Sequence, residues 1–109
     1  MNFEEYQRLS RTTAMYPDKD KNFVYPTLGL AGEAGEVSEK IKKVLRDKGG
    51  VIDEFTRMEL AKELGDVLWY VSNLATELNL PLEQIALGNI EKLFSRKDRG
   101  AITGSGDNR

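Results

Sequence analysis

The chain has 109 residues, of which 16 are Lys or Arg and 18 are Asp or Glu, so its formal net charge is −2. This length suits a single domain, and the near-neutral charge argues against a general nucleic-acid or polybasic membrane binder. The sequence contains no Cys and no His. Their absence excludes disulfides, thiolate nucleophiles, imidazole metal ligands and Ser–His catalysis. Any catalysis must therefore use carboxylates, Lys, Arg, Tyr, hydroxyl groups and a bound metal ion.

The N-terminal segment lacks the features of a signal peptide. Glu4 and Glu5 stand where a signal peptide carries basic residues, and no apolar core follows them. No apolar stretch approaches the roughly 20 residues that span a bilayer. We therefore expect a cytoplasmic protein without a membrane segment.

The spacing of apolar residues predicts four helices and no strands, which is an all-α fold. Helix 1 is expected over about residues 2–16, ending before Pro17. Helix 2 is expected to run from about Pro26 to Asp47, before a pair of glycines. The apolar faces are formed by Phe3, Tyr6 and Leu9 in helix 1, and by Leu30, Ala34, Val37, Ile41 and Val44 in helix 2.

The second half of the chain contains two further helices. Helix 3 is expected to begin after Asp53, a suitable N-cap, and to end near Leu78, with Asn79 as the C-cap candidate. Pro81 opens helix 4, which runs to about Lys97. The apolar faces are formed by Leu60, Leu64, Val67, Val71, Leu74 and Leu78 in helix 3, and by Leu82, Ile85, Ala86, Ile90, Leu93 and Phe94 in helix 4.

The composition changes at the end of helix 4. Residues 1–99 are interpreted as one helical domain and residues 100–109 as a Gly-rich tail. The segment 104–109 has the composition of a loop that could cradle a phosphate. A disordered terminus is the more common outcome for such a segment, and both interpretations stay open.

Two pairs of acidic residues lie on the central helices: Glu33 with Glu36 in helix 2, and Glu63 with Asp66 in helix 3. Each pair is spaced i, i+3, which places its carboxylates about 5–6 Å apart on one face. Each pair also lies one residue from an apolar stripe, so packed helices would bring all four carboxylates to one seam. A divalent cation would relieve their mutual repulsion, and oxygen-only ligands favour Mg²⁺, with Mn²⁺ as a substitute. The alternative is two solvated helix faces.

Glycines interrupt the same two helices at Gly29, Gly32, Gly35 and Gly65. Each interior Gly costs roughly 0.5–1 kcal/mol relative to Ala. The missing side chains indicate either close contact between helices or space beside the carboxylates for metal ions and a polyphosphate.

Helix 4 presents Asn89, Lys92 and Arg96 on one face. The two cations could bind phosphate oxygens, and the amide could orient water or a ligand group. A solvated basic helix end is the alternative. Trp69 and Tyr70 lie one turn after the second acid pair, where either ring could line a base pocket or belong to the core.

These motifs resemble the MazG-like nucleotide pyrophosphohydrolases of the all-α NTP pyrophosphatase superfamily. The resemblance rests on residues 28–37 (LGLAGEAGEV) and 63–70 (ELGDVLWY), which contain an E-x-x-E motif followed by an E-x-x-D motif. The later Asn89, Lys92 and Arg96 resemble the Asn/Lys/Arg stretch of the family. The similarity covers most of the chain.

The resemblance implies a four-helix domain whose helices pair across subunits in a homodimer or homotetramer. It implies Mg²⁺-dependent cleavage of a (d)NTP between the α and β phosphates, giving a monophosphate and pyrophosphate. The implied catalytic residues, which are also the metal ligands, are Glu33, Glu36, Glu63 and Asp66. The implied substrate-binding residues are Tyr70, Asn89, Lys92 and Arg96.

Some questions stay open at this point. Gly32 stands where the family often has a further acid, so it is open whether Glu39, one turn on from Glu36, joins the metal site. A phosphoribosyl-ATP pyrophosphohydrolase of the same superfamily remains an alternative, and so does a non-catalytic helical module for oligomerisation or regulation. No nucleic-acid or membrane partner is expected.

Overall fold

The computed structural model describes all 109 residues, and they form four helices and no strand, as predicted. The helices are α1 (Phe3–Arg11), α2 (Val24–Asp47), α3 (Glu54–Glu77) and α4 (Leu82–Asp98). The two long helices, α2 and α3, pack along each other, and α1 packs on α3. Helix α4 packs against α1 and α3 but not against α2. No helix combines the length and the apolar character needed to cross a membrane.

Side-chain and turn hydrogen bonds set the ends of α3. The Oδ1 atom of Asp53 accepts the backbone N–H of Thr56 at 2.8 Å, which satisfies a free donor of the first turn. At the other end Asn79 adopts a φ of 57°, and the N–H of Leu80 donates to the carbonyl of Ala75 at 2.8 Å. The αL residue and this bond form a Schellman closure, so both predicted caps are confirmed.

Helix α1 is shorter than predicted, because it ends at Arg11 and not near Tyr16. The hydroxyl groups of Thr12 and Thr13 donate to carbonyl oxygens three residues earlier, at 2.6 and 2.7 Å. Such local bonds compete with the continuing helix. The apolar spacing used for the prediction does not report this competition. Helix α2 begins at Val24, slightly before the predicted start.

The apolar core of the single chain is small. It consists of Ala14, Tyr16, Val44, Ala75 and Leu82. The predicted apolar face of helix 4 exists, but its residues Ile85, Ile90, Leu93 and Phe94 stay 40, 47, 37 and 60% exposed. The radius of gyration is 16.7 Å, whereas a compact domain of this length has about 13 Å. The chain therefore leaves apolar helix faces uncovered.

The contact between α1 and α3 is polar and centres on Glu77. Its side chain is only 1% exposed and accepts Nη2 of Arg11 at 2.7 Å. The same carboxylate also accepts the hydroxyl of Tyr16 and the backbone N–H groups of Asp20 and Asn22. Burial by itself raises the pKa of Glu77, but the hydrogen bonds outweigh it and lower the pKa to about 2.

This network also fixes the start of α2. Asn22 donates its backbone N–H to Glu77 at 2.9 Å, and its own Oδ1 accepts the N–H of Tyr25 at 3.0 Å. Tyr25 lies in the first turn of α2 and stacks on Tyr16 with ring centroids 4.8 Å apart. The end of α3 is thereby tied to the beginning of α2.

Substitution Glu77→Gln should lower the free energy of unfolding by about 3 kcal/mol, because it leaves the mostly buried guanidinium of Arg11 with only the exposed carboxylate of Asp20 as its counter-ion. Urea denaturation at pH 7 measures this change. The matched control is Glu91→Gln, since Glu91 is exposed on α4 and its loss should change stability by less than about 0.5 kcal/mol. Equal effects of the two substitutions would contradict the role assigned to Glu77.

The contribution of Glu77 to stability should also depend on pH. The folded-state pKa of Glu77 lies below its ordinary 4.5, at about 2. Its contribution is therefore present above pH 4.5 and is lost as the pH falls from there through about 2. Over this window the wild type should lose more stability than Glu77→Gln, and parallel curves would show that Glu77 is not the group concerned.

Candidate functional site

Three of the four predicted metal ligands meet where α2 packs on α3. Carboxylate oxygens of Glu33, Glu63 and Asp66 all lie within 4.8 Å of one another. Glu33 and Glu63 are half-buried, and Asp66 is exposed. We call these three residues the acid cluster. Oxygen ligands in this number and spacing fit one hard divalent cation such as Mg²⁺ or Mn²⁺.

The electrostatics of the acid cluster favour a cation. Partial burial raises the pKa of Glu33, and a hydrogen bond with Glu63 and the charges of Asp66, Glu63 and Glu36 raise it further. The carboxylates therefore repel one another in the protein without metal. A divalent cation removes this repulsion, so the donor set suits the ion that the resemblance implies.

The other nearby charges are arranged differently. Glu36 is exposed and lies outside the acid cluster, although its charge acts on Glu33. Glu39 pairs with Lys42 at 2.9 Å and does not join the acid cluster. Lys40, which the sequence did not single out, places Nζ 3.7 Å from an Oε1 atom of Glu63. A cation of the chain thus already borders the acid cluster.

Tyr70 lies at the end of the acid cluster nearest the start of α2. Burial raises the pKa of Tyr70, and Tyr25 and the charge of Glu33 raise it further. The ring covers Gly29: a Cβ built on Gly29 would lie 2.1 Å from Cε1 of Tyr70. Close contact therefore explains the glycine at position 29. The same explanation fails for Gly32, Gly35 and Gly65, because a Cβ at any of these positions would meet no atom within 4 Å.

Two further aromatic residues surround this region. Trp69 donates its indole N–H to Thr13 at 2.8 Å and meets the ring of Tyr70 edge-on, with centroids 5.0 Å apart. It thus links α3 to the segment after α1. Burial raises the pKa of Tyr6 on α1, and the charge of Asp66 raises it further. The spacing of apolar residues predicts Tyr6 only on the apolar face of helix 1.

The predicted phosphate-binding residues lie on α4, and the structure does not join them to the acid cluster. Asn89 is exposed. Lys92 Nζ lies 2.8 Å from Oδ1 of Asp107, and Arg96 Nη2 lies 3.2 Å from the same oxygen. Because α4 does not pack against α2, one chain alone keeps these cations apart from Glu33.

The C-terminal tail, residues 100–109, contacts both α4 and itself. It folds back on α4, and the side chain of Arg109 donates to the carbonyl oxygens of Ala101, Ile102 and Gly106 at 3.2, 2.8 and 2.6 Å. Gly104 and Gly106 have φ values of 119° and 88°, a backbone region that favours glycine. These two glycines therefore allow the tail to turn back on itself.

The sequence of the chain is similar to known proteins over most of its length. The sequence model of the family described as "MazG nucleotide pyrophosphohydrolase domain" matches residues 26–100. This range contains both acid pairs and the 89–96 stretch. The chain is also 50% identical over 114 aligned residues, covering 100% of both chains, to "Gene 37 protein" of Mycobacterium phage L5. No solved structure matches the chain.

The glycines on α2 provide a matched pair of substitutions. Gly29→Ala should lower the free energy of unfolding by about 1–3 kcal/mol, since the new methyl group displaces the ring of Tyr70. Gly32→Ala should raise it by about 0.5–1 kcal/mol through helix propensity, because the position is open. Urea denaturation of both variants measures the two effects. Equal destabilisation by both would contradict the contact described for Tyr70.

Proposed function

Because the chain belongs to the MazG nucleotide pyrophosphohydrolase domain family, we propose that it is a divalent-metal-dependent enzyme that hydrolyses nucleoside triphosphates. The bond cleaved is the one between the α and β phosphates, and the products are a nucleoside monophosphate and pyrophosphate. The observation that carries this proposal is the convergence of Glu33, Glu63 and Asp66 within 4.8 Å at the α2–α3 seam.

The acid cluster would hold the metal, with Glu36 as a further ligand one turn away. Mg²⁺ or Mn²⁺, when bound, would neutralise phosphate charge and make a water molecule more acidic. The chain supplies carboxylates that position the ion and can accept a proton from water. Such a reaction depends on positioning and charge stabilisation, so the absence of His and Cys is no obstacle.

The remaining predicted residues would hold the substrate. Tyr70 borders the acid cluster and is proposed to contact the nucleotide. Lys92 and Arg96 would bind the phosphates, Arg96 through its planar set of N–H donors, and Asn89 would orient a ligand group or water. Since α4 does not pack against α2 in one chain, we propose that a second copy of the chain supplies these α4 residues.

The uncovered apolar surface supports such an assembly. The chain exposes 7748 Å², whereas a compact monomer of this size exposes about 6,100 Å². Exposed apolar side chains continue along α4, and surfaces of this kind mark interfaces with other proteins. A homodimer or homotetramer that covers α4 would complete both the core and the site.

Release of pyrophosphate from a panel of NTPs, dNTPs and phosphoribosyl-ATP tests the activity, with Mg²⁺, with Mn²⁺ and with EDTA. We expect metal-dependent release of pyrophosphate with a monophosphate product. Asp66→Asn should lower kcat by more than about 100-fold, since mutating a residue that only hydrogen-bonds a metal ligand already lowers metal affinity or activity by about 10–100-fold. Its metal-free melting temperature should rise, because the repulsion within the acid cluster falls.

The control for this variant is Asp98→Asn, which removes an exposed acid at the end of α4. It should retain wild-type kinetics and the stabilisation by Mg²⁺ that Asp66→Asn loses. Full activity of Asp66→Asn would rule out the acid cluster as the site. Absence of hydrolysis for every nucleotide, in folded protein that binds metal, would favour a non-catalytic role.

Light scattering on a size-exclusion column tests the assembly. The wild type should have the mass of two or four chains, and Ile90→Glu should shift it toward one chain, because a charge then lies in the interface. Gln84→Glu adds the same charge to an exposed position of α4 and should leave the mass unchanged. A monomeric wild type would refute the proposal that a second copy completes the site.

A further inference from the structure

The C-terminal tail occupies the two cations that we assign to phosphate. Lys92 and Arg96 both donate to one carboxylate oxygen of Asp107, at 2.8 and 3.2 Å. Arg96 also donates to the backbone carbonyl of Asp107 at 2.5 Å. An ammonium and a guanidinium that converge on neighbouring oxygens form the arrangement with which proteins bind a phosphate group.

The two sides of this contact differ in how far they are exposed to solvent. The side chain of Arg96 is 5% exposed, whereas that of Asp107 is 79% exposed. The hydrogen bonds and charges of Lys92 and Arg96 lower the pKa of Asp107, so it is an anion at neutral pH. The guanidinium of Arg96 is therefore buried against the chain, the ammonium of Lys92 is 36% exposed, and the anion reaches both from solvent on a short, glycine-rich segment.

The beginning of the tail is anchored on α4 separately from its end. The N–H of Ala101 donates to the carbonyl of Arg96 at 2.6 Å, which anchors the start of the tail on α4. Beyond it, Gly104 and Gly106 adopt positive φ values, and Arg99 donates to the carbonyl of Arg109 at 2.8 Å. The bond that closes α4 therefore does not involve the segment 102–109.

We propose that the tail is an intramolecular competitor for phosphate, in which Asp107 occupies the Lys92–Arg96 pair until a phosphate anion displaces it. The inference rests on the proposed function only in that it takes these two cations as the phosphate site. The matched family range ends at residue 100, so the contact involves a segment outside that range. Its effect is to weaken binding of phosphate-bearing ligands while the tail is docked.

Isothermal titration of the full chain with inorganic pyrophosphate measures the competition directly. Asp107→Asn should bind pyrophosphate about three- to tenfold more tightly, the effect expected for releasing two partly exposed ion pairs. A variant lacking residues 102–109 should show the same gain, since it keeps the Ala101–Arg96 hydrogen bond. Asp98→Asn removes one nearby negative charge without freeing Lys92 or Arg96, and should bind like the wild type.

Nuclear magnetic resonance of the wild type follows the tail itself. The amide signals of Gly104 and Gly106 should move as pyrophosphate is added and saturate at the Kd found by titration. Binding of pyrophosphate without any change in these signals would overturn the proposal. So would unchanged or weaker binding by Asp107→Asn, or equal gains in Asp107→Asn and Asp98→Asn.

Kinetics separate this proposal from the proposed function. If the enzyme releases pyrophosphate from nucleotides but Asp107→Asn leaves KM unchanged, the competition is refuted and the activity stands. If no nucleotide is hydrolysed but Asp107→Asn binds pyrophosphate more tightly than the wild type, the competition stands and the activity is refuted. If no variant binds pyrophosphate, the tail has no phosphate site to occupy and the proposal fails.

Discussion

The carboxylate of Glu77 is the constraint on which the arrangement of the helices depends. The last turn of a helix carries partial negative charge, so an acid there is locally unfavourable, and this one is also buried. It is stabilised by Arg11 at 2.7 Å and by two backbone N–H groups of the segment before α2. Because Asn22 also binds the first turn of α2, the network sets where α2 starts against α3. Glu33 lies eight residues after Tyr25, about 12 Å along the helix, so its position follows from that anchor.

The acid cluster, unlike the Glu77 network, lowers the stability of the folded chain. The raised pKa of Glu33 means that ionising the cluster at neutral pH works against folding. The glycines at positions 32, 35 and 65 add to this cost, since each gives up helix propensity and none is required by a contact within the chain. A small domain with few buried apolar side chains has little stability to spare. Local costs concentrated around one group of carboxylates are typical of a site kept for function.

Much of this could be predicted from the sequence, because it depends on local periodicity. The four helices, the caps at Asp53 and Asn79, and the meeting of Glu33 with the second acid pair follow from spacing alone. The end of α1, the Glu77 network and the roles of Lys40 and Tyr6 could not be predicted this way. The end of α1 depends on local side-chain bonds that apolar spacing does not report. The other features depend on contacts between residues far apart in the chain, such as Arg11 with Glu77, 66 positions apart, and a single sequence carries no signal for such pairs.

The two halves of the proposed site each carry a counter-charge of their own. Lys40 borders Glu63 at 3.7 Å, and Asp107 holds Lys92 and Arg96. On the proposed function, a metal ion competes with the first contact and a polyphosphate with the second. A free anion can replace only Asp107, and a free cation can replace only the charge of Lys40. On the same proposal, a metal–triphosphate complex carries both signs and would replace both contacts where α4 of a second copy faces the acid cluster. Such a ligand would be favoured over either ion alone, because its cation would take the place of Lys40 and its anion would take the place of Asp107.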